Sequence, residues 1–201
     1  MIIFARHAQT EAGEEGRYEG LADSPLTDLG KRQAKELGQY LQDTEIDQVI
    51  VSPRNRAIET ATIATSKLNV ALQVDKNLAE VCYGAWEHEK KEKVKKTEVW
   101  LVRKNDPFHF VHPGFYINHP GESYAMLFER VKESLQLFNR SKDNILVISH
   151  LGILRCVQMF FSGIDEKEFM SLQYSNTILS IVSKEHKINH FDYFFQKSAI
   201  L

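Results

Sequence analysis

Only two cysteines, Cys82 and Cys156, occur in the 201 residues, too few and too far apart for a disulfide framework. A reduced, cytoplasmic setting is therefore expected. Long apolar runs are missing as well. No stretch reaches the roughly 18 residues that a membrane span requires. The apolar start is cut at Arg6, so no signal peptide is expected. A net charge of −2 supplies no basic field for nucleic acid or anionic lipid. No low-complexity tract, interdomain linker or long-period repeat interrupts the chain. Several catalytic signatures are absent too. A Cys-based phosphatase needs an Arg six residues after its Cys, where this chain has His88 and Ser162. There is no nucleotide-binding P-loop and no Asp-x-Asp pair. What is present suits one globular domain. A chain of this length buries roughly 70% of its unfolded surface and needs no staples. With 43% hydrophobic and 26% charged residues, it has the material for a core, which argues against disorder.

The apolar periodicity alternates between strands and helices. Ile2–Ala5 reads as a short buried strand, with a long loop over residues 8–26 after it. Thr27 is an N-cap with Asp28 in the first turn, and Leu29, Ala34, Leu37 and Leu41 make one helical stripe. Gln48–Val51 is a second apolar run. Ser52-Pro53 then offers an N-cap and a helix-starting Pro, and the helix after them carries Ala57, Ile58 and Ala61 along one side. Val70–Val74 is a strand, residues 122–138 a helix, Ile145–Ser149 a strand and residues 152–161 a helix. Two strands around a turn near Glu185 close the chain. Such alternation implies an α/β layered domain with a largely parallel sheet. Residues 81–121 are irregular. Within them Glu87–Lys96 reads as a solvated helical face laced with i,i+4 pairs. Trp86, Trp100, Phe108, Phe110, Phe115 and Tyr116 suit either a lid or a satellite core. His109 with His112, and His186 with His190, have metal-like spacing but no acidic or thiol partners clustered with them, so surface histidines are expected and no metal.

Two apolar runs end alike. IIFARHAQT (residues 2–10) runs into Arg6 and His7, and ILVISHLGI (residues 145–153) runs into His150. Ligands of open parallel sheets sit beyond the carboxyl ends of the strands. Arg56, in the first turns after the Gln48–Val51 run, approaches the same edge. Taken singly, each reads more readily as a solvated strand end or a helix-surface residue. Together, two Arg and two His suit a phosphate, because guanidinium forks grip phosphoryl oxygens and helix N-termini add partial positive charge. Phosphoryl transfer is mostly positioning and charge stabilisation, and four such groups need no metal ion for it.

The pattern resembles the histidine phosphatase superfamily, the phosphoglycerate mutase-like enzymes. RHAQT (6–10) is similar to its Arg-His-Gly-x-Thr signature, and GRYEG (16–20) and SPLTDLGKRQA (24–34) to its next segment. SPRNRAIETA (52–61), LAEVCYGAWEH (78–88), PGESY (120–124) and VISHLGILR (147–155) resemble later blocks in family order. The resemblance implies a three-layer α/β/α sandwich with a mostly parallel central sheet over residues 1–201, residues 81–121 forming a lid or specificity insertion. It makes His7 the nucleophile, with Arg6, Arg56 and His150 holding the phosphoryl oxygens and Glu80 as proton donor. Each such charge-stabilising donor is typically worth about 10²–10³ in rate. Thr10, Gly13, Gly20, Leu21 and Leu151 would line the substrate mouth. Ala8 and Leu151 replace common glycines, His88 replaces another, and Gly13 stands where many members carry a phosphate-touching Asn.

The expected activity is a metal-independent, cofactor-free phosphomonoesterase acting through phospho-His7 on a small phosphorylated metabolite. A phosphoglycerate mutase is the enzymatic alternative, though family mutases carry Ser-x-Trp-Asn where Thr10, Ala12 and Gly13 stand here. A non-catalytic phospholigand-binding module is the other. The particular substrate and the oligomeric state, a homodimer included, stay open.

Overall fold

A computed structural model describes residues 1–183 and 185–193. Its elements in chain order are β1 (Ile2–Arg6), α1 (Glu11–Glu14), α2 (Asp28–Tyr40), β2 (Gln48–Val51), α3 (Asn55–Ala64), β3 (Leu72–Val74), α4 (Lys91–Val94) and α5 (Glu98–Asn105). Next come β4 (Phe115–Tyr116), β5 (His119–Pro120), α6 (Tyr124–Arg140), β6 (Ile145–Ser149), α7 (Leu151–Ser162), α8 (Glu166–Ser171), β7 (Ile178–Val182) and β8 (Ile188–Asp192).

Six strands form one sheet in the order β3-β2-β6-β1-β7-β8. The first four run parallel, while β7 and β8 are the antiparallel hairpin expected around Glu185. Strand side chains alternate between faces, so each central strand feeds two cores. Ile2, Phe4, Ile145 and Val147 pack against Leu127, Val131 and Leu135 of α6 and Ile153 and Val157 of α7. Ile3, Ala5, Leu146 and Ile148 pack against Leu37 of α2 and Ala57, Ala61 and Ala64 of α3. The result is the three-layer α/β/α sandwich, with the mostly parallel sheet between the layers. Among the described residues no helix is long and apolar enough to cross a membrane.

The register decides where the chemistry falls. Arg6 pairs with Ser149, and Val51 with Ile148. His7, Ser52 and His150 therefore leave the sheet side by side at the carboxyl edge, with the His7 amide donating to the Ser149 carbonyl at 2.8 Å.

Three expectations are corrected, one of them at His112, which is buried rather than at the surface. Arg54, not Ser52, is the N-cap of α3; the Ser52 hydroxyl accepts the Arg54 amide at 3.3 Å and meets His150 Nε2 at 2.6 Å. The Glu87–Lys96 run is not one solvated face. Only part is helical, and although Lys93 pairs with Glu89 at 2.7 Å as i,i+4, Glu87 is buried. Of the segment's aromatics, Trp86, Trp100 and Phe110 form a satellite core with Tyr18, Tyr83 and Val94, while Phe108 joins the main core and Phe115 is exposed.

His112 sits inside that aromatic group, edge-on to Tyr83, Trp86 and Phe110, and its Nδ1–H donates to the Glu122 carbonyl at 2.5 Å. Burial pushes its pKa down to about 4. An unfolded histidine, at roughly 6.5, takes a proton that folded His112 refuses. Stability held above that pH is lost as pH falls toward 4, by about 3 kcal/mol for this residue. In His112→Phe the Glu122 carbonyl keeps the His112 backbone amide as donor. We expect this variant to flatten the fall of Tm between pH 6.5 and 5. An unchanged slope in the pH-scanned melts contradicts burial as the cause.

Candidate active site

The carboxyl edge holds a cavity of about 140 Å³, lined among others by Arg6, His7, Thr10, Glu80, Tyr83 and Leu151. His7 is 6% exposed. Its Nδ1–H donates to the Ala8 carbonyl at 2.8 Å, so the Nε2 atom carries the lone pair. Burial holds the pKa of His7 well below the usual value, and the Arg56 and Arg6 guanidiniums add to it. At neutral pH the ring is uncharged and its tautomer is fixed. His150 stands 5.1 Å away, ring centre to ring centre, and burial and Arg56 likewise keep it neutral.

Arg56 and His150 lie behind the cavity rather than on its surface, each 0% exposed. The Arg56 terminal nitrogens donate to the carbonyls of Glu19, Gly20 and Ala22, to Asp23 Oδ1 at 2.8 Å and to His150 Nδ1 at 3.3 Å. That last contact places the proton of His150 on Nε2, which donates to Ser52 Oγ. The family resemblance implies that both residues grip phosphate directly. In this structure Arg56 instead ties the mouth loop to His150 and contributes its field. Arg6 does line the cavity, held by a 2.6 Å bond from its Nη1 to the Tyr174 carbonyl.

Glu80 reaches the cavity from the segment after β3, 5% exposed. Its carboxylate accepts from the Val81 amide at 2.9 Å and from the Gly152 amide, in the first turn of α7, at 3.0 Å. A side chain at Gly152 would collide with Glu80 Oε1, so this carboxylate can approach the helix only over a glycine.

Thr10, Gly13 and Leu151 line this cavity, whereas Gly20 and Leu21 do not. Thr10 Oγ1 accepts the Gly13 amide and donates to Glu19, so it braces the loop as well. The amides of Gly20, Leu21 and Ala22 all donate to the Glu87 carboxylate at 2.9–3.1 Å, and the Tyr83 amide joins them at 2.9 Å. The carbonyls of the same three residues accept from Arg56, Arg54 and Arg56 respectively. Three consecutive peptides thus lie between one buried carboxylate and two guanidiniums. A Cβ at position 20 would strike the Val81 carbonyl, which makes glycine obligatory there.

Sequence reasoning missed several residues. Asn176 lines the cavity and its amide donates to the His7 carbonyl at 2.7 Å. Arg17, Glu19, Tyr83 and Lys91 also line it. Gly-Arg-Tyr-Glu-Gly and the charge run contained most of these, but the pattern does not say which side chains turn inward. Of the metal-spaced histidines, His109 contacts Asp106 and Glu166 at the surface. Among the described residues no group of three or more His, Cys, Asp or Glu is placed to hold a metal ion.

A neutral, tautomer-fixed histidine beside an arginine and a carboxyl group has the chemistry that phosphoryl transfer requires. The chain belongs to the histidine phosphatase superfamily, branch 1, whose family model matches residues 2–195. It is 30% identical over 192 residues to phosphoserine phosphatase 1 of Hydrogenobacter thermophilus, covering 94% of this chain and 88% of that protein. It is 31% identical over 153 residues to the adenosylcobalamin/alpha-ribazole phosphatase of Escherichia coli, covering 74% and 72%. The crystal structure of the alpha-ribazole phosphatase from Shigella flexneri superposes with a TM-score of 0.78 at 25% identity, over 92% of this chain and 91% of that one.

Proposed function

We propose that this chain hydrolyses a small phosphomonoester without a metal ion, through a phosphohistidine formed on His7. The observation that carries the reading is the His7 ring: neutral, oriented by the Ala8 carbonyl, and open to the cavity. In the first step Nε2 bonds to phosphorus while the ester oxygen leaves with a proton from the Glu80 carboxyl. Arg6 balances the phosphoryl charge, and Arg56 and His150 shape the wall behind it. In the second step the Glu80 carboxylate takes a proton from water, whose oxygen attacks phosphorus and frees His7 and inorganic phosphate.

The cavity also suggests what the substrate carries. At about 140 Å³ it admits little beyond a phosphate and a few heavy atoms. Lys91 and Arg17 add two cations to its lining beyond Arg6; Arg17 pairs with Glu15 at 2.5 Å, and Lys91 makes no ion pair among the described residues. Burial and the Arg6 charge lower the Lys91 pKa, which fits an ammonium awaiting a counter-charge. We read this as preference for a phosphoester with a second anionic group, such as the carboxylate of phosphoserine, the substrate in the name of one relative. Residues 81–121 act here as a specificity segment, since Tyr83 and Lys91 come from it. Lys91→Met should raise KM for phosphoserine about tenfold or more and leave KM for p-nitrophenyl phosphate nearly unchanged. Steady-state phosphate release on the two substrates checks this, and equal effects on both refute it.

A further inference from the structure

A larger cavity, of about 740 Å³, lies on the far side of the loop that carries Leu21 and Asp23. It shares no lining residue with the catalytic cavity. Its walls come from the ends of β2 and β3, the β4–β5 hairpin and the start of α6. The volume falls in the range of small-molecule sites, roughly 300–1,000 Å³.

The lining has a definite chemistry. Pro53, Ala79, Tyr116, Ile117, Pro120 and Met126 supply the apolar wall. Ile117 and Met126 are 76% and 46% exposed, so the wall is open to an occupant. The charged lining residues are three cations and two anions, and both anions are neutralised. Asp23 pairs with Arg56 at 2.8 Å. Glu122 accepts from Arg130 Nε and Nη2, both at 3.0 Å, and from the Cys82 amide at 3.0 Å. Arg54 and Lys76 remain. Arg54 gives one nitrogen to the Leu21 carbonyl, and its Nε is a buried donor without a partner. Lys76 makes no ion pair among the described residues. The cavity therefore presents two uncompensated cations against an apolar wall.

The hairpin adds an independent sign. Ile117 holds φ +54°, a left-handed conformation that a β-branched residue adopts only at a cost. Such strain clusters at ligand clamps, and here it keeps an apolar side chain at the cavity rim.

We propose that this cavity is a second ligand site, taking an anion carried on an apolar, ring-sized body. The anion sits between Arg54 and Lys76, and the body lies against Tyr116, Ile117 and Met126. The site is separate from the place where phosphate is cleaved.

The probe that tests it is 1-anilinonaphthalene-8-sulfonate, with its uncharged analogue N-phenyl-1-naphthylamine, titrated by fluorescence on the whole protein. The anionic probe should saturate one site, at least tenfold more tightly than the neutral one. Excess inorganic phosphate should not displace it, and it should leave KM for p-nitrophenyl phosphate unchanged. Lys76→Met should weaken it about tenfold. Ile117→Asp should weaken it more, since it adds a repelling charge while suiting the left-handed backbone better than isoleucine does. Circular dichroism melts confirm that both variants fold. Competition with phosphate or substrate would put the probe in the catalytic cavity and overturn the proposal. Non-saturable binding, equal affinity for both probes, or indifference to both variants would overturn it equally.

Discussion

Replacing His7 with Ala should lower kcat by about 10⁴ or more, the usual scale when a covalent nucleophile is removed. Nothing else lining the cavity can replace it. Among the lining residues His7 is the one imidazole, and its Nε2 is the lone pair that the Ala8 carbonyl leaves unprotonated. His150 cannot substitute, because Arg56 occupies its Nδ1 and Ser52 its Nε2–H. The loss should fall on chemistry rather than folding. At pH 7 the neutral ring makes one hydrogen bond to the backbone, so Tm should stay within a few degrees of wild type. Below pH 6.5 the variant should lose less stability than wild type, since one buried imidazole with a depressed pKa is gone. Steady-state kinetics with matched melting curves at two pH values separate these effects. Retained turnover would remove His7 from the mechanism.

The second large effect is expected at a residue outside the cavity. Glu87→Ala strips the acceptor from four backbone amides, those of Gly20, Leu21, Ala22 and Tyr83. A buried donor left without a partner costs about 1–3 kcal/mol, and several of these amides lose theirs together. A loss of roughly 4 kcal/mol lowers Tm by about 8–15 °C in a protein of this size. Activity should fall as well, because the carbonyls of Gly20 and Ala22 hold Arg56, and Arg56 holds His150. Glu89→Ala, two residues away, removes only a surface pair with Lys93 and should change stability by less than about 0.5 kcal/mol. Similar Tm shifts in the two variants would contradict the structural reading of Glu87.

That contrast shows where sequence reasoning reaches and where it stops. The strands ending in Arg6 and Ser149 are legible because an apolar run needs no partner to be recognised, and the register that sets His7 beside His150 comes from pairing them. The Thr27 cap and the stripe of Leu37 and Leu41 are equally local, and both occur as expected. Glu87 is a different case. A carboxylate that binds backbone amides some 65 residues away leaves no side-chain pattern, and within EHEKKEKVKKTE it has the same appearance as Glu89. Asn176 and Tyr174 meet His7 and Arg6 only through long-range backbone contacts beyond the recognisable blocks. Ser52 precedes a proline and carries every mark of an N-cap, yet its hydroxyl, besides taking the Arg54 amide, meets a histidine on the neighbouring strand end at the shorter distance. In each case tertiary contact outweighs the local preference.

The account rests on a covalent bond between His7 and phosphorus. Wild-type protein turning over p-nitrophenyl phosphate or phosphoserine can be quenched in alkali, where a phosphohistidine survives, then digested and sequenced by mass spectrometry. The mass increment of one phosphoryl group should fall on the peptide spanning Ile2–Thr10, at His7, and vanish after acid treatment. A phosphoryl group on another residue, or steady turnover with His7 never modified, would contradict it.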